Sequence, residues 1–228
     1  MIDVTAAVRL SVLVGLASTL LSLGPAVGCA WLLARGHFRG KSLVSAVIFA
    51  PLVLPPVVTG LLMLKLLGRS SWLGGWLAEQ GWPLTFSLTG AVLAAVVVGF
   101  PLYVMAIRSA FEAVDPRLEE VSASLGASPW QTWWRVTLPL AAPGVAAGMV
   151  LAFARGLGEF GATAVLAGNI EGQTRTIALA VYTLLEAPDG HQALRSLLFA
   201  SIFLAIAALF GFESLTRRQR GRLDLDER

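Results

Sequence analysis

Glu119-Glu120-Val121-Ser122-Ala123-Ser124-Leu125-Gly126-Ala127-Ser128-Pro129-Trp130, continuing to Leu138-Pro139, is a polar insert between two long stretches without charge. Ahead of it, Asp115-Pro116 reads as a helix start: a capping carboxylate, then a proline whose missing N–H is not needed in the first turn. Gly126 suits the left-handed residue that closes such a helix, which predicts a helix over 116–125. Ser128-Pro129 repeats the start signal and predicts a second short helix through Val136. Leu118, Val121, Ser122 and Leu125 fall at i, i+3, i+4 and i+7 and give the first helix one apolar stripe. Trp130, Trp133 and Trp134 give the second helix its own face, expected to lie on a membrane surface. Both helices are too short and too polar to cross a bilayer. The stripe must be buried somewhere, either on the chain's own bundle or in a groove of a soluble partner.

The flanks of the insert set the fold class. The chain has 228 residues, 56% of them hydrophobic and only 14% charged, with a mean hydropathy of +0.75. Soluble domains carry about 25% charged residues. Uncharged runs cover 10–34, 42–64, 88–107, 136–154 and 196–212. A membrane-crossing helix needs ~20 largely apolar residues, so all five runs qualify. The apolar run at 176–185 is too short to cross and reads as re-entrant or interfacial. Backbone polar groups find no water in lipid, so the spans must be helices packed in a bundle. The reading is an all-α integral membrane protein, one transmembrane domain over 1–228. Its five spans lie at about 8–34, 42–67, 88–111, 141–166 and 195–215, with the polar loop at about 112–140.

Orientation follows from the basic residues. Eleven of the seventeen lie in the 35–41 turn, in 108–135 and in the tail at Arg217, Arg218, Arg220, Arg222 and Arg228. That predicts an N-terminus outside and a C-terminus in the cytoplasm, in a multi-pass protein. The net charge of +3 is a product of this asymmetry and gives no reason to expect nucleic acid as a partner.

Within the spans, Pro51, Pro55 and Pro56 remove backbone donors and predict a kink in the second helix. The fourth, read as starting near Pro143, carries small residues at Gly144, Gly148, Ala152 and Gly156, a ladder for close helix contact within the subunit or across a dimer. Trp72, Trp76 and Trp82 in the 68–87 loop read as an interfacial belt. Cys29 is the one cysteine, so no intramolecular disulfide can form. Ala26-Val27-Gly28-Cys29 is not a lipoprotein cleavage site, because the apolar run continues beyond it and no basic segment precedes it. Gly36-His37-Phe38-Arg39-Gly40-Lys41-Ser42 imitates a phosphate-binding loop but is one residue short between its glycines and follows a helix instead of a strand. No nucleophile–base pair and no metal cluster stand out.

Arg155 and Glu159 are four residues apart inside the fourth span, Arg155 about 18 Å beyond Pro143 at ~1.5 Å per residue. Ionisable groups at that depth are costly and are paired or functional. They read either as a self-neutralising pair or as an element of an anion's path, with Glu159 keeping Arg155 from trapping the ion. Gly158 and Gly161 loosen the helix nearby and form either a gate with 176–185 or a close-packed contact.

The insert also carries a resemblance. Importer permeases of the ABC type share a loop that begins Glu-Ala-Ala, with glycine six residues after the glutamate. After nine more residues come isoleucine, any residue, leucine and proline. Glu120, Gly126, Val136, Leu138 and Pro139 stand in that register, with Val121-Ser122 in place of the alanines and valine for isoleucine. The chain therefore resembles type I ABC importer permeases. The resemblance implies that Leu118, Glu120, Val121, Leu125, Gly126, Val136, Leu138 and Pro139 couple it to an ATPase. A second stretch, from Leu157-Gly158-Glu159-Phe160-Gly161 through Gly168-Asn169-Ile170 to Gln173-Thr174-Arg175-Thr176-Ile177, is similar to the molybdate permeases. Pro51-Leu52-Val53-Leu54-Pro55-Pro56 agrees. This adds Asn169 to the candidate pathway or gate residues Arg155, Glu159, Gly158 and Gly161. The resemblance further implies a second copy of the chain, two ATPase subunits, an extracytoplasmic oxyanion-binding protein and a bacterial inner membrane with its lipid. No cofactor is expected on this chain; ATP and Mg belong to the ATPase. Tungstate and sulfate or thiosulfate are the alternative cargoes. An ATPase-independent anion transporter should instead show repeats or several intramembrane charges, and neither is present.

Overall fold

The computed structural model describes residues 3–186 and 191–223, with the backbone alone for Phe212 and 215–223. The side chains of the tail arginines lie outside the described residues.

α1 (Val4–Arg35) starts at Asp3, whose carboxylate accepts from the Ala6 amide at 3.0 Å. Its buried residues are small or hydroxylic: Ala7, Ser11, Gly15, Ser18, Thr19, Ser22, Ala26 and Ala30 among them. Large apolar side chains such as Leu16, Leu20 and Leu21 point outward instead. A soluble helix would be the other way round. Lipid is as apolar as leucine, so helices there gain by backbone approach along small residues. The hydroxyls of Ser18, Thr19 and Ser22 are satisfied within the helix, with Thr19 donating to the Gly15 carbonyl at 2.8 Å and Ser22 to the Ser18 carbonyl at 2.6 Å.

α5 (Leu88–Glu112) is the central post. It packs along α1 and along α8 (Leu138–Leu157), and these three helices form the core. Tyr103, Ile107 and Phe111 of α5, with Leu33 of α1 and Ala141 of α8, fill the half of the bundle next to the polar loop. The small-residue ladder of α8 serves this core. A Cβ on Gly148 would sit 3.1 Å from Ile107, and one on Gly156 would sit 3.4 Å from the Gly15 backbone. Those two rungs therefore serve contacts within one subunit.

Two expected spans are built differently. The second is not one kinked helix over 42–67 but two, α2 (Lys41–Val53) and α3 (Pro56–Leu67), bent by 116°. Pro55 and Pro56 together leave Leu54 and Pro55 extended, which stops one helix before the next begins. The fourth starts far earlier than 141 and ends earlier than 166. α7 (Pro129–Thr132), a π turn (Trp133–Thr137) and α8 form one continuous helical rod from Pro129 to Leu157. The rod ends at Gly158, and α9 (Gly161–Leu166) is a separate short helix packed on α3.

The 68–87 loop holds a further helix, α4 (Trp72–Glu79), with its three tryptophans exposed. The 176–185 run is α10 (Ile177–Leu185), packed against α1 and α11 (His191–Leu223). Its start is fixed from far away in sequence: the Ile177 amide donates to Ser11 Oγ of α1 at 2.7 Å. Among the described residues, four helical rods are long and apolar enough to cross a membrane, and the count reaches five when the bent α2–α3 pair is taken as one broken span instead of a re-entrant loop.

Candidate functional site

The polar loop folds into a helix, a corner and the foot of a rod. α6 (Pro116–Ser124) is capped by Asp115, whose carboxylate accepts from the Arg117 amide at 2.9 Å. Leu125 closes it, and Gly126 turns the chain at φ +87°. Ser128 then opens the rod with a reciprocal cap: its hydroxyl accepts from the Gln131 amide, and Gln131 Oε1 accepts from the Ser128 amide. Sequence reasoning made the second piece a separate helix through Val136. Instead the π turn, in which the Leu138 amide reaches back to the Trp133 carbonyl, joins it to α8 without a break.

No residue of α6 is buried. Leu118, Val121 and Leu125 are exposed, Leu125 at 82%, and Glu120 is exposed beside them. The apolar stripe is therefore not covered by the chain's own bundle. Val136 and Leu138 are half-buried in the rod, and Pro139 is exposed. Trp130, Trp133 and Trp134 form one aromatic cluster, Trp130 stacked on Trp133 at 5.3 Å and Trp134 edge-on to both. They line an apolar groove of about 860 Å³ against Leu23, Val27 and Trp31 of α1.

The residues that hold α6 in place were not identified from sequence. Glu119 Oε1 lies 3.2 Å from the guanidinium of Arg35, the last residue of α1, and accepts from Thr137 Oγ1 at 2.9 Å. Arg35 Nη2 also donates to the carbonyl of Val114, in the turn between α5 and α6, at 2.7 Å. Ser122 and Thr132 join their hydroxyls at 2.9 Å across the corner. The usable signal was the position of Arg35 at the mouth of a long span, opposite two adjacent acids.

At the far end of the rod, Arg155 Nη1 and Glu159 Oε2 are 2.9 Å apart. Glu159 is 2% exposed, and its other oxygen accepts from the Ala162 amide at 2.8 Å, starting α9. One carboxylate thus neutralises an arginine and caps the helix beyond the break. Gly158 is exposed and, with Leu157, Ile177, Ala178 and Val181, lines an apolar cleft of about 700 Å³ between the rod, α10 and α11. Gly161 is buried instead against α3, where a Cβ would lie 3.0 Å from the Val57 amide nitrogen. Asn169 belongs to a different network: it accepts from Arg175 Nε and donates to Thr183, both at 2.8 Å. Phe160 reaches Tyr182 of α10 at 5.3 Å between ring centres.

Comparison with known proteins matches residues 26–222 to the family model described as binding-protein-dependent transport system inner membrane component. The chain is 46% identical over 218 residues to the molybdenum transport system permease protein ModB of Haemophilus influenzae, covering 95% of each. It is 48% identical over 217 residues to the protein of the same name in Escherichia coli K12, again covering 95% of each. A sulfate transport system permease protein, CysW of Synechocystis, is 38% identical over 175 residues, 77% of this chain and 63% of that one. Among solved structures, an inward-facing MetNI methionine ABC transporter superposes with a TM-score of 0.70 at 18% identity, covering 95% and 94%. A bacterial alginate ABC transporter, solved with a periplasmic protein bound to an alginate pentasaccharide, gives 0.69 at 20%, covering 95% and 78%. At those identities the likeness establishes the fold, that of ABC importer permeases.

Proposed function

This chain belongs to the binding-protein-dependent transport inner membrane component family, and from that premise we propose that it is the permease subunit of an ATP-driven importer of molybdate. The observation that carries this reading is identity of 46–48% with two molybdenum permeases along 95% of the chain. The likeness to a sulfate permease is lower and shorter. It is a multi-pass membrane protein, oriented by its arginines with the polar loop in the cytoplasm.

The geometry supports a definite way of working. α6 offers Leu118, Val121 and Leu125 with Glu120 at their side, the stripe-in-groove arrangement a helix uses on a partner. Two ATPase subunits take that stripe, and they alone bind ATP and Mg. Gly126 sets the corner, and Val136, Leu138 and Pro139 lie on the rod that carries its movement into the membrane. Because the rod runs unbroken from Pro129 to Leu157, a displacement at its foot is delivered about 40 Å away at ~1.5 Å per residue, beside Arg155 and the break at Gly158. Closure of the ATPase pair opens the bundle outward; hydrolysis resets it. Nucleotide shifts this equilibrium only through its different affinity for the two states. A second copy of the chain packs against the apolar faces of α2 and α3, which bury few of their residues, and an oxyanion-binding protein delivers the cargo from outside. Arg155 attracts the dianion, and Glu159 weakens that attraction enough for release.

Uptake of labelled molybdate by proteoliposomes holding the assembled importer and its binding protein tests the reading. Unlabelled tungstate should compete nearly as well as molybdate, and sulfate far less. Preferential uptake of sulfate would reassign the cargo, and uptake without ATP would remove the ATPase-driven mechanism. In the same assay Arg155→Met at normal protein levels should slow uptake; an unchanged rate removes Arg155 from the path.

A further inference from the structure

We propose that Glu119 is a positioning residue, the joint that gears α6 at once to α1 and to the α7–α8 rod. This rests on the coupling function proposed for α6. None of its residues is buried and only Glu119 and Ser122 are half-buried, so packing holds its position weakly. Motion imposed on such a helix reaches the bundle mainly through its covalent ends and its hydrogen bonds. One end is the Asp115 turn and the other is the Gly126 corner, both single-residue joints. The remaining links are Ser122 to Thr132, and the two that meet on Glu119 Oε1.

Those two links lead to different elements. Thr137 is 2% exposed and sits in the last position of the π turn, so its hydroxyl has no water to turn to. It donates to Glu119 and ties α6 to the rod at the point where the rod changes winding. π turns are single-residue insertions that recur at functional positions. Arg35 ends α1, which packs along both α5 and α8. Its guanidinium also holds the Val114 carbonyl, so the end of α5 is joined to the same charge. Charge-assisted bonds of this kind are roughly twice as strong as neutral ones, and here both partners are largely shielded. A pull on α6 therefore moves α1 and the rod together instead of bending the corner alone. Glu120, one residue along, is exposed and free to face a partner. Adjacent acids thus divide the work between inside and outside.

The test is the number of ATP molecules hydrolysed per molybdate taken up, measured on the assembled importer in proteoliposomes. A residue that only stabilises the fold lowers hydrolysis and uptake together and leaves that ratio alone. Glu119→Ala should keep ATP hydrolysis while raising the ratio about 5-fold or more, the lower end of ordinary site-to-site coupling. Arg35→Met and Thr137→Val should each raise it less. The double variant should match Glu119→Ala, since both links end on one oxygen. Glu119→Gln, whose amide oxygen still accepts from Thr137, should resemble Arg35→Met. An unchanged ratio in Glu119→Ala overturns the proposal. Should that variant not assemble, an unchanged ratio in the two milder single variants does so equally. If the parent complex takes up no molybdate or does not stimulate its ATPase, the reading beneath falls and takes this one with it.

Discussion

Gly126 shows how much one residue decides here. Its φ of +87° lies where a side chain crowds the following carbonyl. A Cβ built there meets nothing within 4 Å, so a substitution is opposed by the backbone alone. Gly126→Ala should therefore cost about 1 kcal/mol, felt by the corner and not by the bundle. Hydrogen exchange of the α6 amides would read that loss, rising about fivefold at 25 °C for 1 kcal/mol, while exchange in α5 stays as it was. Unchanged exchange in α6 would mean that the corner is held by its hydrogen bonds regardless of this angle. Glu159 is the opposite kind of residue, one whose side chain does two things at once. Its role as the cap of α9 could not be read from sequence, because an i, i+4 pair with Arg155 explains the same two letters within an unbroken helix.

At the scale of elements, the break at Gly158 and the bend at Leu54-Pro55 belong together. α3 and α9, the pieces left over from two interrupted spans, pack on each other through glycine. A Cβ on Gly60 would lie 2.7 Å from the Ala162 Cα, and one on Gly161 would press on Pro56 and Val57. Helices in lipid associate through such approach. Gly60→Val should separate this pair at a cost of about 1–3 kcal/mol, the usual range for overpacking. The reading is a lower melting temperature of the purified permease together with slower uptake. A variant that melts and transports like the parent would show that the contact is not maintained in the working protein. The prolines of the second span were legible as a kink. The full 116° bend was not, since its size depends on what each half finds to pack against.

For the whole molecule, counting the bent α2–α3 pair as one span gives up to five spans among the described residues, and the arginine bias then predicts the start of α1 outside and α6 inside. α4 adjoins the start of α5 and α6 adjoins its end, with the length of a spanning helix between them. In a Cys29→Ala background, Gln80→Cys should react with an impermeant maleimide added to intact cells, and Ser124→Cys should react only after lysis. The reverse pattern would overturn the orientation drawn from the arginines.

Local sequence was enough for the all-α membrane class and for the capped helix and glycine turn of the α6 corner. Those rest on local quantities: apolar length against bilayer thickness, cap residues, and a glycine where the backbone must turn left-handed. It also carried the family likeness, because the loop register from Glu120 to Pro139 can be read without coordinates. Packing, by contrast, was needed to show that the foot of the loop and the fourth span are one rod. It also decided that the small-residue rungs at Gly148 and Gly156 face the chain's own helices, and that Glu119 rather than Glu120 holds the corner to α1. The physical reason is common to all three. A helix boundary written in Pro, Ser and small residues marks where a helix is permitted to start or stop. Whether it does so depends on partners brought from 18 to 141 residues away, such as Thr137 and Gly15.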